Sequence, residues 1–163
     1  MDKGKLIWIT GLSGSGKTTL SKALCTELKK TNKNIVHLDG DSIREILGDV
    51  HGHSVEDRKN TSKIYSKLCE NLVNQGMVVV MSTISLFHEI HDLNRKNIDE
   101  YYEIFLDVSK KTLLERNQKN LYSGCADDVM GINQKPELPK QPNLIFKTEN
   151  LEEMVISCLD LIL

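Results

Sequence analysis

The chain has no excess of either charge: 21 lysines and arginines face 23 aspartates and glutamates, for a net charge of −2 over 163 residues. Nucleic-acid and membrane-surface binding call for a basic face, so neither partner is expected. No two cysteines stand at metal or redox spacing. Cys25, Cys69, Cys125 and Cys158 are scattered, which argues against a zinc site and against a disulfide framework. No apolar run approaches the ~20 residues of a membrane-spanning helix, and the first residues carry no apolar signal segment. The expectation is a cytoplasmic protein in a reducing compartment. Repeats and low-complexity segments are lacking as well. The three prolines, Pro136, Pro139 and Pro142, all fall in one stretch. The length suits a single domain, 1–163, that removes roughly 70% of its unfolded surface from water.

What is present is an alternation of strand and helix patterns. Apolar runs at 6–10, 34–38, 77–81, 102–107 and 144–146 read as strands. The continuous run Met77 to Met81 has the character of a central parallel strand covered on both faces. Leu20, Leu24 and Leu28 recur with a helical period after the first strand. Asp41 to Leu47 reads as a short helix. Ser54 with Asp57 forms a capping-box start for a long helix that carries Ile64, Leu68 and Leu72 and ends near Asn74. Further helices are predicted at 87–98, 110–120 and 151–162. The last has one apolar stripe of Leu151, Met154, Val155, Cys158, Leu159 and Ile162. Cys25, Cys69 and Cys158 fall on apolar helical faces and are expected in the core. Residues 121–142 lose periodicity and are a candidate lid. This order predicts an α/β fold with a parallel sheet between two helical layers, and a ligand at the carboxyl ends of the strands.

The first strand runs into Gly11-Leu12-Ser13-Gly14-Ser15-Gly16-Lys17-Thr18, followed by Thr19 and a helix. Strand, G-x-x-x-x-G-K-[ST] and helix together make a P-loop. Its glycines let successive N–H groups turn toward phosphate oxygens, and the positive end of the helix adds to that field. Lys17 is placed to reach the β- and γ-phosphates of ATP, and the Thr18 hydroxyl to ligate Mg²⁺.

Phosphoryl transfer also needs an oriented acceptor. The polar residues that directly follow strands are the candidates: Thr10 and Gly11, Asp39-Gly40-Asp41, Ser82 and Thr83, and Asp107. Of Asp39 and Asp41, one could hold Mg²⁺ and the other accept the proton of an attacking hydroxyl. Helix capping accounts for one such Asp more easily than for two. The second strand is expected beside the P-loop strand. Arg44, Arg58 and Lys63 could grip an anionic acceptor. Arg116 and Lys119, just before the candidate lid, could stack on adenine or brace phosphates. His51 with His53, and His88 with His91, lack a carboxylate or thiolate at ligand spacing, and no metal role is assigned to them.

Together these residues resemble the adenylylsulfate kinase family. The resemblance rests on the P-loop with Thr19, on Leu38-Asp39-Gly40-Asp41-Ser42-Ile43-Arg44, and on Asp57-Arg58-Lys59. It extends to Ile84-Ser85, Glu115-Arg116, Lys119-Asn120-Leu121-Tyr122 and Gly131-Ile132-Asn133, and so spans nearly the whole chain. It implies a nucleoside-kinase-like P-loop fold, ATP and Mg²⁺, a small nucleotide substrate phosphorylated on its ribose 3′-hydroxyl, and a homodimer. It implies that Gly11, Ser13, Gly14, Ser15, Gly16, Lys17, Thr18 and Thr19 bind ATP, with Arg116 and Lys119 on the same side. Thr18 and Asp39 would serve the metal, and Lys17, Asp39 and Asp41 the chemistry. Asp41, Arg44, Arg58, Ser85 and Lys119 would meet the acceptor.

The departures from the family lie on the acceptor side. His53 stands where the family has a phenylalanine. Val129-Met130-Gly131-Ile132-Asn133 stands for a Phe-Thr-Gly-Ile-Asp stretch. In the family the two rings sandwich the acceptor adenine, and such stacking is worth ~1–3 kcal/mol per base. Thr61 and Lys63 replace an Asn and an Arg, and Leu86-Phe87-His88 follows Ser85 in place of a Pro-x-Arg run. The segment between Tyr122 and Gly131 is also shorter. The phosphate-handling half is kept and the acceptor-reading half is changed. Two acceptors remain open: the cytidine nucleotide of the related cytidine diphosphoramidate kinases, placed slightly first because a pyrimidine needs less stacking surface, and adenylyl sulfate. A non-catalytic nucleotide-binding module would be expected to lose Lys17, Thr18 or the Asp pair, and all are kept.

Overall fold

A computed structural model of the chain describes residues 4–31, 34–48, 52–116, 129–147 and 150–163. Five parallel strands form one sheet in the order β2-β3-β1-β4-β5. They are β1 (Lys5–Gly11), β2 (Ile35–Asp39), β3 (Val78–Thr83), β4 (Tyr101–Leu106) and β5 (Leu144–Phe146). The helices are α1 (Lys17–Leu28), α2 (Gly40–Leu47), α3 (Val55–Asn74), α4 (His88–Asn97), α5 (Lys110–Arg116) and α6 (Leu151–Ile162).

Side chains of a strand alternate between faces, and both faces here are apolar. Leu6, Trp8, Val79 and Met81 pack with Tyr65 and Cys69 of α3 and Ile90 of α4. Ile7, Ile9, Val78 and Val80 pack with Leu20, Leu24 and Leu28 of α1 and Met154, Val155 and Cys158 of α6. The continuous apolar runs of β1 and β3 follow from this double cover. The stripe read on α6 docks as expected, as does the leucine ladder of α1.

Two expectations need correction. β2 does not lie beside the P-loop strand: β3 is inserted between them and pairs with both. A parallel neighbour must be reached by a crossover, and the periodic pattern of strands does not say which slot each crossover fills. The second correction concerns α3. The helix spans the predicted residues, yet Ile64 and Leu68 are 38% and 37% exposed. The face turned inward holds Thr61, Ser62, Tyr65, Ser66, Cys69 and Val73. The buried face lies one position beyond the Ile64-Leu68-Leu72 row: Tyr65, Cys69 and Val73 enter the apolar core, and Ser62 meets Ser85 of the β3 exit.

The strand ends nearest the P-loop are bound by polar side chains. Thr10 Oγ1 donates to Ile84 O at 2.7 Å, tying the end of β1 to the exit of β3. Tyr101 to Leu106 of β4 buries Glu103, which meets Arg95 of α4 at 2.5 Å. His91 Nδ1 lies 3.0 Å from the other oxygen of Glu103 but out of line for a hydrogen bond. No helix among the described residues is long and apolar enough to cross a membrane.

Burial pushes the thiols of Cys25, Cys69 and Cys158 up to about 11, 12 and 12. The thiolate is the reactive form. All three should therefore stay unmodified by iodoacetamide at pH 8 in the native protein and react on unfolding, as mapped by peptide mass spectrometry. Rapid native-state labelling of Cys69 would contradict the packing of α3.

Candidate active site

The site is built where the carboxyl ends of β1, β2 and β3 meet the N-termini of α1 and α2. Residues Leu12 to Gly16 leave β1 and turn into α1. Gly16, the residue before the helix, has φ 95° and open space where a Cβ would be. A side chain there would be strained by the backbone and would fill the concavity that phosphate groups need. Ser15 Oγ is buried and without a hydrogen-bond partner. A buried hydroxyl left unpaired is costly, and this one lies against Gly11, where a Cβ would sit 2.7 Å from it. Lys17 Nζ donates to Leu12 O at 2.8 Å, folded across the same loop.

Asp39 connects three elements. Its Oδ1 caps α2 by accepting from the amides of Asp41 (3.1 Å) and Ser42 (3.4 Å). Its Oδ2 accepts from Thr18 Oγ1 of α1 and Ser82 Oγ of β3, both at 2.8 Å. Burial pulls the Asp39 carboxyl upward, but these four hydrogen bonds outweigh it and hold the group below the usual carboxylate range. The capping weighed against a site role from the sequence is observed, and the same side chain also meets the P-loop helix through Thr18. Thr18 hydroxyl and Asp39 carboxylate form a pair of hard oxygen donors at the mouth of the P-loop, the type of donor Mg²⁺ prefers.

Asp41 is exposed in the first turn of α2. Arg44, one turn on, donates to Gly52 O at 3.1 Å. Arg58, in the first turn of α3, donates through Nε to His53 O at 3.1 Å. The Ser54–Asp57 cap predicted for α3 is formed, with Asp57 N donating to Ser54 Oγ at 3.1 Å. Arg116 Nη1 donates to Gly14 O at 2.8 Å, which brings the end of α5 onto the P-loop across 102 residues of sequence. Gly11 is buried beneath the loop, and Ser13 and Thr19 flank it. Lys119 lies outside the described residues, as does the 121–128 part of the candidate lid.

Ser85 takes a different position from a surface residue that grips a ligand. It is 5% exposed, and its hydroxyl meets Ser62 Oγ at 2.6 Å and Thr83 Oγ1 at 3.0 Å. This chain of hydroxyls holds the exit of β3 against α3. Asp107 is turned toward Lys147 at 3.7 Å, Lys63 pairs with Glu89 at 2.7 Å, and His88 reaches Leu138 O at 2.8 Å.

The sequence reading missed three contributors, Tyr65, Ser21 and Gln134. Ser82, a strand-end candidate, and Tyr65 bind the Asp-Gly-Asp element directly; Tyr65 Oη donates to Gly40 O at 2.8 Å. Ser21 Oγ donates to Thr18 O at 3.0 Å and meets His37 Nε2 at 2.8 Å, bracing α1 against β2 below the P-loop. Gln134 Nε2 donates to His53 O at 2.8 Å, while a Cβ on Gly131 would sit 2.8 Å from Leu12 Cδ2. The turn 129–134 therefore lies across the P-loop and the start of α3, and it brings together the two positions where the resemblance expects stacking rings. Val129 and Met130 are both buried, and Met130 packs in the core with Phe87 and Phe105.

The depressed Asp39 carboxyl carries a pH signature. Its stabilisation is complete above the unfolded value of about 3.9 and is lost as pH falls through the lower folded value. The Tm gap between the wild type and Asp39→Asn should therefore be widest at neutral pH and narrow below pH ~4. A gap independent of pH would mean that the charge on Asp39 contributes nothing to the fold.

Comparison with known proteins agrees with this geometry. The adenylylsulphate kinase family profile matches residues 3–147. A cytidine diphosphoramidate kinase of Campylobacter jejuni is 40% identical over 156 residues, covering 92% of this chain and 91% of that protein. An adenylyl-sulfate kinase of a Synechococcus species is 32% identical over 165 residues, covering 99% and 93%. The Mycobacterium tuberculosis APS kinase, solved in complex with AMPPNP and APS, superposes with a TM-score of 0.89 at 29% identity over 99% of this chain and 98% of that one. The P-loop, the Asp-Gly-Asp turn and Arg116 of the present chain thus belong to an ATP-dependent phosphotransferase, and the chain is a member of the adenylylsulphate kinase family.

Proposed function

We propose that this kinase transfers the γ-phosphoryl group of ATP to the ribose 3′-hydroxyl of a nucleotide, and that its acceptor is cytidine diphosphoramidate in preference to adenylyl sulfate. The acceptor reading is carried by the two positions bridged through Gln134. One is the exposed His53 and the other the buried Val129, so neither offers the phenylalanine ring that would sandwich a purine. The greater identity to the Campylobacter cytidine diphosphoramidate kinase supports the same choice.

The described geometry supports the following roles. Anionic phosphate is a stronger acceptor than a peptide carbonyl, so Lys17 would exchange Leu12 O for the β- and γ-phosphates. The P-loop amides and the unpaired Ser15 hydroxyl would complete the cradle. Thr18 and Asp39 would hold Mg²⁺, which when bound neutralises charge on the phosphate oxygens. With Asp39 capping α2 and bound to Thr18 and Ser82, the exposed Asp41 is the group assigned to orient the acceptor hydroxyl and take its proton. The 3′-oxygen bonds to Pγ as the bond to the β–γ bridging oxygen breaks, and ADP departs. Arg44, in the last turn of α2, and Arg58, in the first turn of α3, would hold the acceptor's phosphates. Arg116, resting on Gly14 O, would brace the ATP side.

The deciding experiment is ADP release from Mg·ATP with each acceptor in parallel. Turnover with cytidine diphosphoramidate well above that with adenylyl sulfate is expected; the reverse order would overturn the acceptor assignment. Asp41→Asn should lower kcat by roughly 10²–10⁴-fold while ATP binding, read by calorimetry, is retained. Near-native turnover in that variant would remove Asp41 from the chemistry. His53→Phe should raise kcat/KM for adenylyl sulfate by about fivefold or more, the equivalent of one stacking contact.

A further inference from the structure

α2 carries two of the groups assigned to the acceptor, Asp41 and Arg44, yet it is thinly held. It has 8 residues, and only Gly40 and Ile43 are buried. Packing alone gives so short a helix little to fix its direction, so its orientation must come from polar contacts at its first turn. Asp39 supplies the contact to α1 and to Ser82 of β3. Gly40 is pressed against the end of β3, where a Cβ would meet Thr83 Oγ1 at 3.0 Å. The remaining contact comes from α3. Tyr65 is 3% exposed, and its hydroxyl donates to Gly40 O at 2.8 Å. Arg44 of the same helix reaches Gly52 O, just ahead of α3, through Nη1.

We propose that Tyr65 is a positioning residue for the acceptor side: its hydroxyl, donating to Gly40 O, sets α2 with Asp41 and Arg44 in register with Arg58 at the head of α3. Burial raises its pKa, so it remains a donor through the neutral range. Tyr65 and Ile43 belong to the same apolar cluster, so the ring supplies packing and the hydroxyl supplies direction. The sequence pattern assigns Tyr65 only to the body of α3, seven residues beyond Arg58. The inference rests on the kinase reading for its consequence but not for its geometry.

Tyr65→Phe keeps the ring and removes the hydroxyl. Cys69→Ala, one turn further along the same buried face, is the control for loss of packing without loss of the tether. Tyr65→Phe should lower kcat/KM for the acceptor by about three- to tenfold, the range of one net hydrogen bond, with the KM for ATP changed by less than about twofold. Cys69→Ala should leave acceptor kinetics at the wild-type level. Amide hydrogen exchange over 41–47 should be faster in Tyr65→Phe and unchanged in Cys69→Ala, with α1 protected equally in both. Wild-type acceptor kinetics in Tyr65→Phe, or the same acceptor defect in both variants, would overturn the proposal. If the wild-type protein phosphorylates neither nucleotide, the kinase reading fails by itself, and exchange still decides the tether: faster α2 exchange in Tyr65→Phe alone upholds it, and equal exchange in the two variants overturns it.

Discussion

Asp39 carries two tasks that physical chemistry makes compatible. An extended residue at the end of a strand can cap the helix that follows, because its side chain reaches back to the first free amides. Here one carboxylate oxygen does that for α2, while the other binds the hydroxyls of Thr18 and Ser82. The P-loop helix α1, β3 and α2 are joined through one ionised group. The charge persists because its hydrogen bonds outweigh the cost of partial burial. If the bonds were fewer, burial would favour the neutral acid and the three elements would lose their common anchor.

The remainder of the site follows from where the sheet leaves its ends. β1 lies between β3 and β4, and chain direction changes sides there. The loop after β1 and the loops after β2 and β3 therefore open into one crevice, which α5 closes from the other side through Arg116 and Gly14. Beneath that crevice both sheet faces are apolar and continuous. A rigid base of this kind lets short polar contacts set directions at the rim. The hydroxyls of Thr83, Ser85 and Ser62 link the exit of β3 to α3 in the same manner.

The acceptor side is organised by contacts of low sequence visibility. His53 O receives both Arg58 and Gln134, and Gly131 seats its turn on Leu12 of the P-loop. The P-loop and the start of α3 thus share a wall closed by the turn 129–134, whose Gln134 lies 81 residues beyond His53. A substitution in that wall leaves the P-loop itself untouched, which is the division the proposed acceptor assignment relies on.

The sequence by itself determined the α/β class, the P-loop and its helix, the caps of α3 and the buried faces of α1 and α6. Each of these is a local matter: a period, a spacing or a capping residue acts within about two helical turns. It also marked Lys17, Thr18, Asp39, Asp41, Arg44 and Arg58, since chemistry at strand ends leaves a motif. Only the tertiary structure decided that β3 separates β1 from β2, because any crossover of sufficient length can reach either slot. It alone turned α3 so that Tyr65 rather than Ile64 faces inward, since the helix packs where it can also satisfy Gly40 O and the buried hydroxyls. Tyr65, Ser82 and Gln134 are partners of main-chain or carboxylate groups 25 to 81 residues away. Such pairings are set by the folded surface and have no signature in the residues that surround them.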